Sequence, residues 1–175
     1  MTVVRLLRPT EWQRYRELRL AALLDAPSAF ASTWPAESAR PDAEWRSRAE
    51  RLAAARDSVL YVAVGDDGGW RGLAGGYRPA TPPADAELVS MWVAPPARRT
   101  GLARRLVLAV AEWTAASGGR TLGLWVTRTN TPAIGLYQSL GFEPTGDVQP
   151  LPSDPCRDEQ RMLLRLGPPA GGSDE

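Results

Sequence analysis

Short apolar runs, set off by polar and turn-forming residues, divide this chain into strands and helices. Thr2 to Leu7, Ser58 to Val64, Trp70 to Arg78, Glu87 to Val93 and Thr121 to Thr127 have strand composition. Glu143 to Leu151 and Gln160 to Leu166 add strands near the C-terminus. Gly65 to Gly69 carries Asp/Gly turn chemistry and predicts a hairpin between its flanking strands. Helical spacing appears at Trp12, Tyr15, Leu18 and Leu23, in a helix that a Thr10/Gln13 capping box opens and that ends near Leu24. Asp42 caps a second helix, to about Ala55. Leu102 to Ala116 is a third. Pro132 to Leu140 is a fourth, with Thr131 as N-cap, Pro132 in the first turn and Gly141 as the stop. Asp25 to Arg40, Pro79 to Pro83 and Pro152 to Arg157 predict loops, and 167–175 a disordered tail. The order of elements predicts one domain over 1–166, a mixed α/β sheet flanked by helices.

The most specific stretch is Val-Ala-Pro-Pro-Ala-Arg-Arg-Thr-Gly-Leu-Ala, residues 93–103, between an apolar strand and a helix. A helix start leaves backbone N–H groups without helical partners, and the helix dipole adds partial positive charge, so this turn is suited to an anion. Arg98, Arg99, Arg104 and Arg105 crowd the same spot. The alternative is a solvated basic helix start, but arginines there oppose the dipole. The glycine pattern is neither G-x-x-x-x-G-K-[ST] nor G-x-G-x-x-G.

Arg98-Arg99-Thr100-Gly101-Leu102-Ala103 resembles the [RQ]-x-x-G-x-[GA] pyrophosphate loop of the GNAT superfamily of acyl-CoA-dependent N-acyltransferases. Asn130-Thr131-Pro132-Ala133-Ile134-Gly135-Leu136-Tyr137-Gln138-Ser139-Leu140-Gly141-Phe142 is similar to that family's N-x-x-A-x-x-L-Y-x-x-x-G-F element. The resemblance implies a mixed, mostly antiparallel sheet splayed between strands 87–93 and 121–127, with the pantetheine arm of acetyl-CoA in the gap. It implies backbone contacts from Met91, Trp92 and Val93, pyrophosphate contacts from Arg98, Arg99, Thr100, Gly101, Leu102, Ala103 and Arg104, and a contact from Asn130. Met91, Trp92 and Val93 read equally as core residues of a buried strand, and Asn130 equally as a helix cap.

Composition narrows the chemistry. The net charge is +1, so no global field recruits nucleic acid or a membrane. No apolar run is long enough for a membrane span, and no secretory leader is visible. The single cysteine, Cys156, forbids an internal disulfide and fits a cytoplasmic location. The chain has no histidine, which removes Ser–His and Cys–His catalysis and imidazole metal sites. Cys156 therefore lacks the partner an acyl-enzyme nucleophile needs. No metal is expected.

The resemblance implies that Tyr137 protonates the leaving CoA thiolate, where composition alone reads an amphipathic tyrosine at a core boundary. It implies that Glu87 takes the proton of the acceptor ammonium, against a plain solvent-facing strand residue. It implies that a backbone N–H, at Val93, polarises the thioester carbonyl. The resemblance also implies that loops 25–40 and 150–158 line the acceptor pocket, where Phe30, Trp34, Asp154 and Asp158 are the readable residues, an aromatic and acidic set suited to a cationic amine. The expected function is acetyl transfer from acetyl-CoA to the primary amine of a small molecule, by direct attack in a ternary complex. A protein lysine or N-terminal acetyltransferase and a non-catalytic CoA-binding module are the alternatives, and a homodimer is compatible with all three.

Overall fold

The computed structural model describes residues 1–82 and 84–167. The tail at 168–175, expected to be disordered, lies outside the described residues. The seven strands are β1 (Thr2–Leu6), β2 (Ser58–Gly65), β3 (Trp70–Tyr77), β4 (Ala86–Val93), β5 (Thr121–Thr127), β6 (Glu143–Leu151) and β7 (Asp154–Arg165). They form one sheet in the order β1-β2-β3-β4-β5-β7-β6. Every neighbouring pair is antiparallel except β4–β5, which is parallel. The expected class, a mixed and mostly antiparallel sheet with flanking helices, is therefore observed.

Helices cover both faces, as a sheet buried on two sides requires. On one face, α4 (Leu102–Ala116) turns Leu102, Leu106, Val107, Val110 and Trp113 inward at helical spacing. With α5 (Thr131–Ser139) it packs on Val59, Ala74, Leu88, Leu122, Leu124 and Met162. On the other face, α1 (Trp12–Asp25) and α3 (Asp42–Ala54) meet through an edge-to-face pair, Tyr15 and Trp45, with ring centroids 5.3 Å apart. They cover Leu60, Val62, Leu73 and Trp92.

Several boundaries differ from the sequence reading. Helix α1 is entered through a 3-10 turn at Pro9–Glu11, and Glu11, not Thr10, satisfies the entering chain. Its carboxylate accepts from the Arg8 N–H at 3.0 Å and is gripped by Arg5 at 2.7 and 2.9 Å. The segment 25–40, expected to be loop, contains α2 (Trp34–Ser38). Pro35 lies in its first turn, where no N–H is required, and the Thr33 hydroxyl accepts from Ala36 N–H. Asn130 rather than Thr131 caps α5, its side-chain oxygen accepting from Ala133 N–H at 3.3 Å. The loop expected at 152–157 shrinks to a turn at Pro152 and Ser153, since β7 starts at Asp154. Residues 155–158 extend past the end of β5 and are exposed, so no apolar period marks them as strand.

The β4–β5 pairing is brief. Ala86 pairs with Leu122 and Glu87 with Gly123, and the ladder stops there. The closed end is fixed from two sides. Asp85 accepts from the N–H groups of Arg120 and Thr121 and from the Thr121 hydroxyl, which together hold its carboxyl below the usual range. Glu87 is bound by both terminal nitrogens of Arg161, which reaches across from β7. Both partners are buried. Gly123 makes the room, since a Cβ there would meet the Arg161 guanidinium at 2.5 Å.

Arg161→Met should strand a buried carboxylate and lower stability by about 3–5 kcal/mol in denaturant unfolding. Glu87→Leu combined with Arg161→Leu should recover most of that loss, because a buried ion pair replaced by apolar groups is often near neutral. Equal loss in the single and double variants would show that the pair does not hold the strands together.

Candidate active site

Beyond Glu87 and Gly123 the parallel strands part, as the sequence reading expected, and a cavity of about 1030 Å³ runs through the gap. Its floor is backbone. Ala94 N–H donates to Arg71 O at 2.8 Å, and Gly72 pairs with Val93 one step along the ladder. Alternation in an antiparallel ladder then turns Val93's N–H and C=O away from β3, towards the gap. Ser90, with φ of 55°, carries the bulge that shifts the β3–β4 register.

At one end of the gap lies the arginine-rich turn. Arg99 and Gly101 both have positive φ, 63° and 81°. Successive N–H groups in such a turn form an anion-binding concavity. Arg98 N–H bonds to Pro95 O, and Arg105 N–H to Gly101 O. Among the described residues no backbone N–H between those two has a protein partner. Arg98, Arg99, Gly101, Ala103 and Arg104 line the cavity. Two expected contacts do not present side chains to it. Leu102 is buried in the core, and the Thr100 hydroxyl donates to Ala97 O at 2.7 Å. Arg98 is already engaged, donating to Val93 O at 2.9 Å and to Asp25. Asp25 also accepts from the Trp92 indole N–H at 2.8 Å, and these partners hold its carboxyl below the usual range. Arg105 points elsewhere, to Thr2 O.

Met91, Trp92, Val93, Asn130 and Tyr137 line the middle of the cavity. Tyr137 packs its ring on Phe142, centroids 5.6 Å apart, and burial pushes its phenol up from its ordinary value. It is therefore protonated at physiological pH.

The far end combines aromatic and charged walls. Phe30, Tyr77, Trp125, Glu87, Gln149 and Glu159 line it. Phe30, expected at the acceptor pocket, is among the lining residues. Trp34, Asp154 and Asp158 are not among the lining residues. Trp34 sits at the start of α2, partly exposed, and Asp154 is spent on an exposed ion pair with Arg157 at 3.1 Å. Asp158 is exposed on β7, opposite Pro150. Glu87 is not solvent-facing; it is 6% exposed and ion-paired. The segment over this end is tied down, because Thr127 donates its hydroxyl to Ser28 O at 2.6 Å and Ser153 donates to Phe30 O.

Sequence reasoning missed Arg161, Glu159, Trp125 and Arg19. The first three were readable as one face of paired strands only once the register was known. Arg19 comes from α1, where it is buried, donates to Ser90 Oγ at 3.1 Å and Glu37 at 3.2 Å, and stacks over Phe30 at 4.6 Å. Among the described residues no group of His, Cys, Asp and Glu is placed to hold a metal ion. No helix among them is long and apolar enough to cross a membrane.

A model of the acetyltransferase (GNAT) family matches residues 14–142. Among solved structures, the yncA protein of Salmonella typhimurium, whose structure holds its cofactor acetyl-CoA, is similar with a TM-score of 0.75 and 18% identity, over 100% of this chain and 99% of that one. A GCN5-related N-acetyltransferase from Kribbella flavida is similar at 26% identity and a TM-score of 0.73, over 94% and 98%. Spermidine N-acetyltransferase from Vibrio cholerae, in complex with CoA and spermine, is similar at 16% identity and a TM-score of 0.74, over 94% and 95%. No curated protein matches the sequence.

Gly101→Glu should abolish CoA binding in calorimetric titration while the far-UV spectrum stays that of the parent. Nothing lies within 4 Å of a Cβ built at Gly101, so the fold loses only the strain of a positive φ, about 1–2 kcal/mol. The new carboxylate would occupy and repel the anion site. Unchanged CoA affinity would place the phosphate elsewhere.

Proposed function

The chain belongs to the GNAT acetyltransferase family, and from that premise we propose that it moves the acetyl group of acetyl-CoA to the primary amine of a small molecule by direct attack in a ternary complex. The observation that carries this reading is one continuous cavity. It joins an arginine-rich turn of unpartnered N–H groups, a strand edge that faces the gap, a buried phenol, and an aromatic, acidic end. Residues 1–166 act as the catalytic unit. The lone, exposed Cys156 supports a reducing, cytoplasmic setting.

The N–H groups at 99–104 and the side chains of Arg99 and Arg104 bind the pyrophosphate, while Arg98 braces the turn. The pantetheine arm lies in the gap, against Met91, Trp92 and Val93 on β4 and beside Asn130. The Val93 N–H polarises the thioester carbonyl, so negative charge that builds on its oxygen meets a fixed donor. The amine enters from the far end, between Phe30, Tyr77 and Trp125, whose ring faces suit a cation. Glu87 accepts a hydrogen bond from the ammonium through lone pairs that Arg161 leaves free. The amine nitrogen attacks, the C–S bond breaks, and Tyr137 gives its proton to the thiolate.

The tied segment at Ser28 to Phe30 supports a small acceptor over a peptide, because an extended chain entering at the far end would have to pass a wall that two hydrogen bonds hold in place. Polyamines, the kind of ligand held by the spermidine enzyme above, belong in the first panel of acceptors.

The test is thiol release from acetyl-CoA with alkylamines, arylalkylamines, polyamines, amino acids and a lysine peptide, in the presence of chelator. Turnover with one or more small amines is the expected result. Silence with every acceptor would end this reading, and turnover with the peptide alone would move it to protein acetylation. With the best amine, Tyr137→Phe should lower kcat by about 10²-fold with little change in CoA affinity, since the ring contact with Phe142 is kept and only the proton is lost. Equal rates would remove Tyr137 as the acid.

A further inference from the structure

We propose that Glu159 on β7, opposite Thr127 on β5 and hydrogen-bonded by Gln149 on β6, is the carboxylate that takes the proton of the acceptor amine. The inference rests on the acetyl-transfer reading above.

Three observations single it out. Glu159 lines the far end of the cavity and yet is only 6% exposed, so its carboxylate is withdrawn from bulk water. Its partner is neutral: the Gln149 amide donates to one carboxylate oxygen at 2.6 Å. Among the described residues no cation pairs with it. A buried carboxylate without a counter-charge is costly and calls for a cation to meet it. The acceptor ammonium is such a cation.

The neighbours are accounted for. Side chains two apart on a strand share a face, so Glu159 lies on the same face as Arg161. Arg161 is taken by Glu87 from β4, through both terminal nitrogens, and the two charges offset one another. From β5, Trp125 and Thr127 face this end and carry no charge. From β3, Tyr77 lines the cavity, and burial raises its phenol. From α1, Arg19 is paired with Glu37. Glu159 is thus the carboxylate of this cavity with no counter-ion. Burial raises its proton affinity, against the smaller opposing effect of the Gln149 bond. That brings it nearer to a general base working close to neutral pH.

The step balances. Glu159 takes one proton from the ammonium and becomes the neutral acid. The freed lone pair forms the C–N bond, and the C–S bond breaks as the tetrahedral adduct collapses. Tyr137 protonates the thiolate and recovers a proton from the adduct nitrogen. Glu159 returns its proton to solvent after product leaves. Glu87 holds the amine and Glu159 deprotonates it.

Glu159→Gln keeps an oxygen for the Gln149 amide and removes a buried charge, so the melting temperature should equal or exceed the parent's and CoA affinity should match it. The assay uses acetyl-CoA and the primary amine from the panel that the parent turns over fastest, with kcat/KM measured across pH. The substitution should lower kcat/KM by about 10²-fold or more and remove the acidic limb of the profile, and Glu159→Asp should restore part of the rate and the limb. An unchanged rate and profile would overturn the assignment. So would a lower rate with the limb intact, which would leave Glu159 only positioning the amine. A parent chain inert to every amine would instead overturn the acetyl-transfer reading, and this inference with it.

Discussion

The Glu87–Arg161 ion pair is the point from which the site is built. It lies where the parallel ladder of β4 and β5 ends, and it joins β4 to β7 across the strand between them. A parallel pair left to itself would keep closing, because each further step satisfies backbone groups that otherwise face a gap. Closure is stopped on one side and anchored on the other. Asp85 and the ion pair fix the closed end, while the bulge at Ser90 and the turn after Val93 carry β4 away. The backbone groups left open are what a strand-like ligand can satisfy. An interaction that fixes the fold therefore also creates the binding surface.

The basic end of the cavity is built of groups that do not titrate near neutrality. All 21 basic residues of the chain are arginines, which keep their charge at any physiological pH. Some of those near the turn are spent on protein: Arg98 on Asp25 and Val93 O, Arg105 on Thr2 O. Arg99 and Arg104 line the cavity beside the open N–H groups. Asp25 makes the connection between ends. It is the last residue of α1, and it holds both Trp92 of β4 and Arg98 of the turn. The helix that covers the far end is thus tied to the turn at the other. A displacement of α1 would be felt by the turn through a single carboxylate.

The sequence disclosed the parts of this arrangement that are local. The turn at 93–103, helix 102–116 and strand 121–127 depend on contiguous residues and were legible to the residue. So was Tyr137, placed by a motif on one helix. What stayed hidden depends on pairing between distant segments. Glu87 reads as exposed until Arg161, 74 residues on, is seen to cover it. Glu159 falls between the expected loop, Pro152 to Arg157, and the expected strand, Gln160 to Leu166, and becomes strand by pairing with β5 and β6. Trp34 and Asp154 have the chemistry expected of an acceptor pocket, but α2 and the β6–β7 turn place them outside the cavity-lining set. Segment and chemistry were readable; the facing of each side chain needed the register.

A chain without histidine or lysine has few ways to exchange a proton near neutrality. An ordinary carboxylate is too weak a base, a phenol too weak an acid, and Cys156 lies exposed in β7, outside the cavity-lining set. Burial is the remaining device, and it acts on two groups of the same cavity. It raises Glu159, which makes the carboxylate a better acceptor, and it raises Tyr137, which keeps the phenol protonated while making it a weaker acid. Glu87 is buried as well, but it is paired with Arg161. Two carboxylates of one type, on one face of one sheet, are thereby given different work by whether a guanidinium stands beside them. The raised Glu159 has a cost in stability. Because its folded form holds the proton more tightly than the unfolded chain, ionising it above its ordinary range weakens the fold, and protonation restores what was lost. That cost is the expected mark of a group kept for chemistry, since a neutral glutamine would accept the same bond from Gln149 without it.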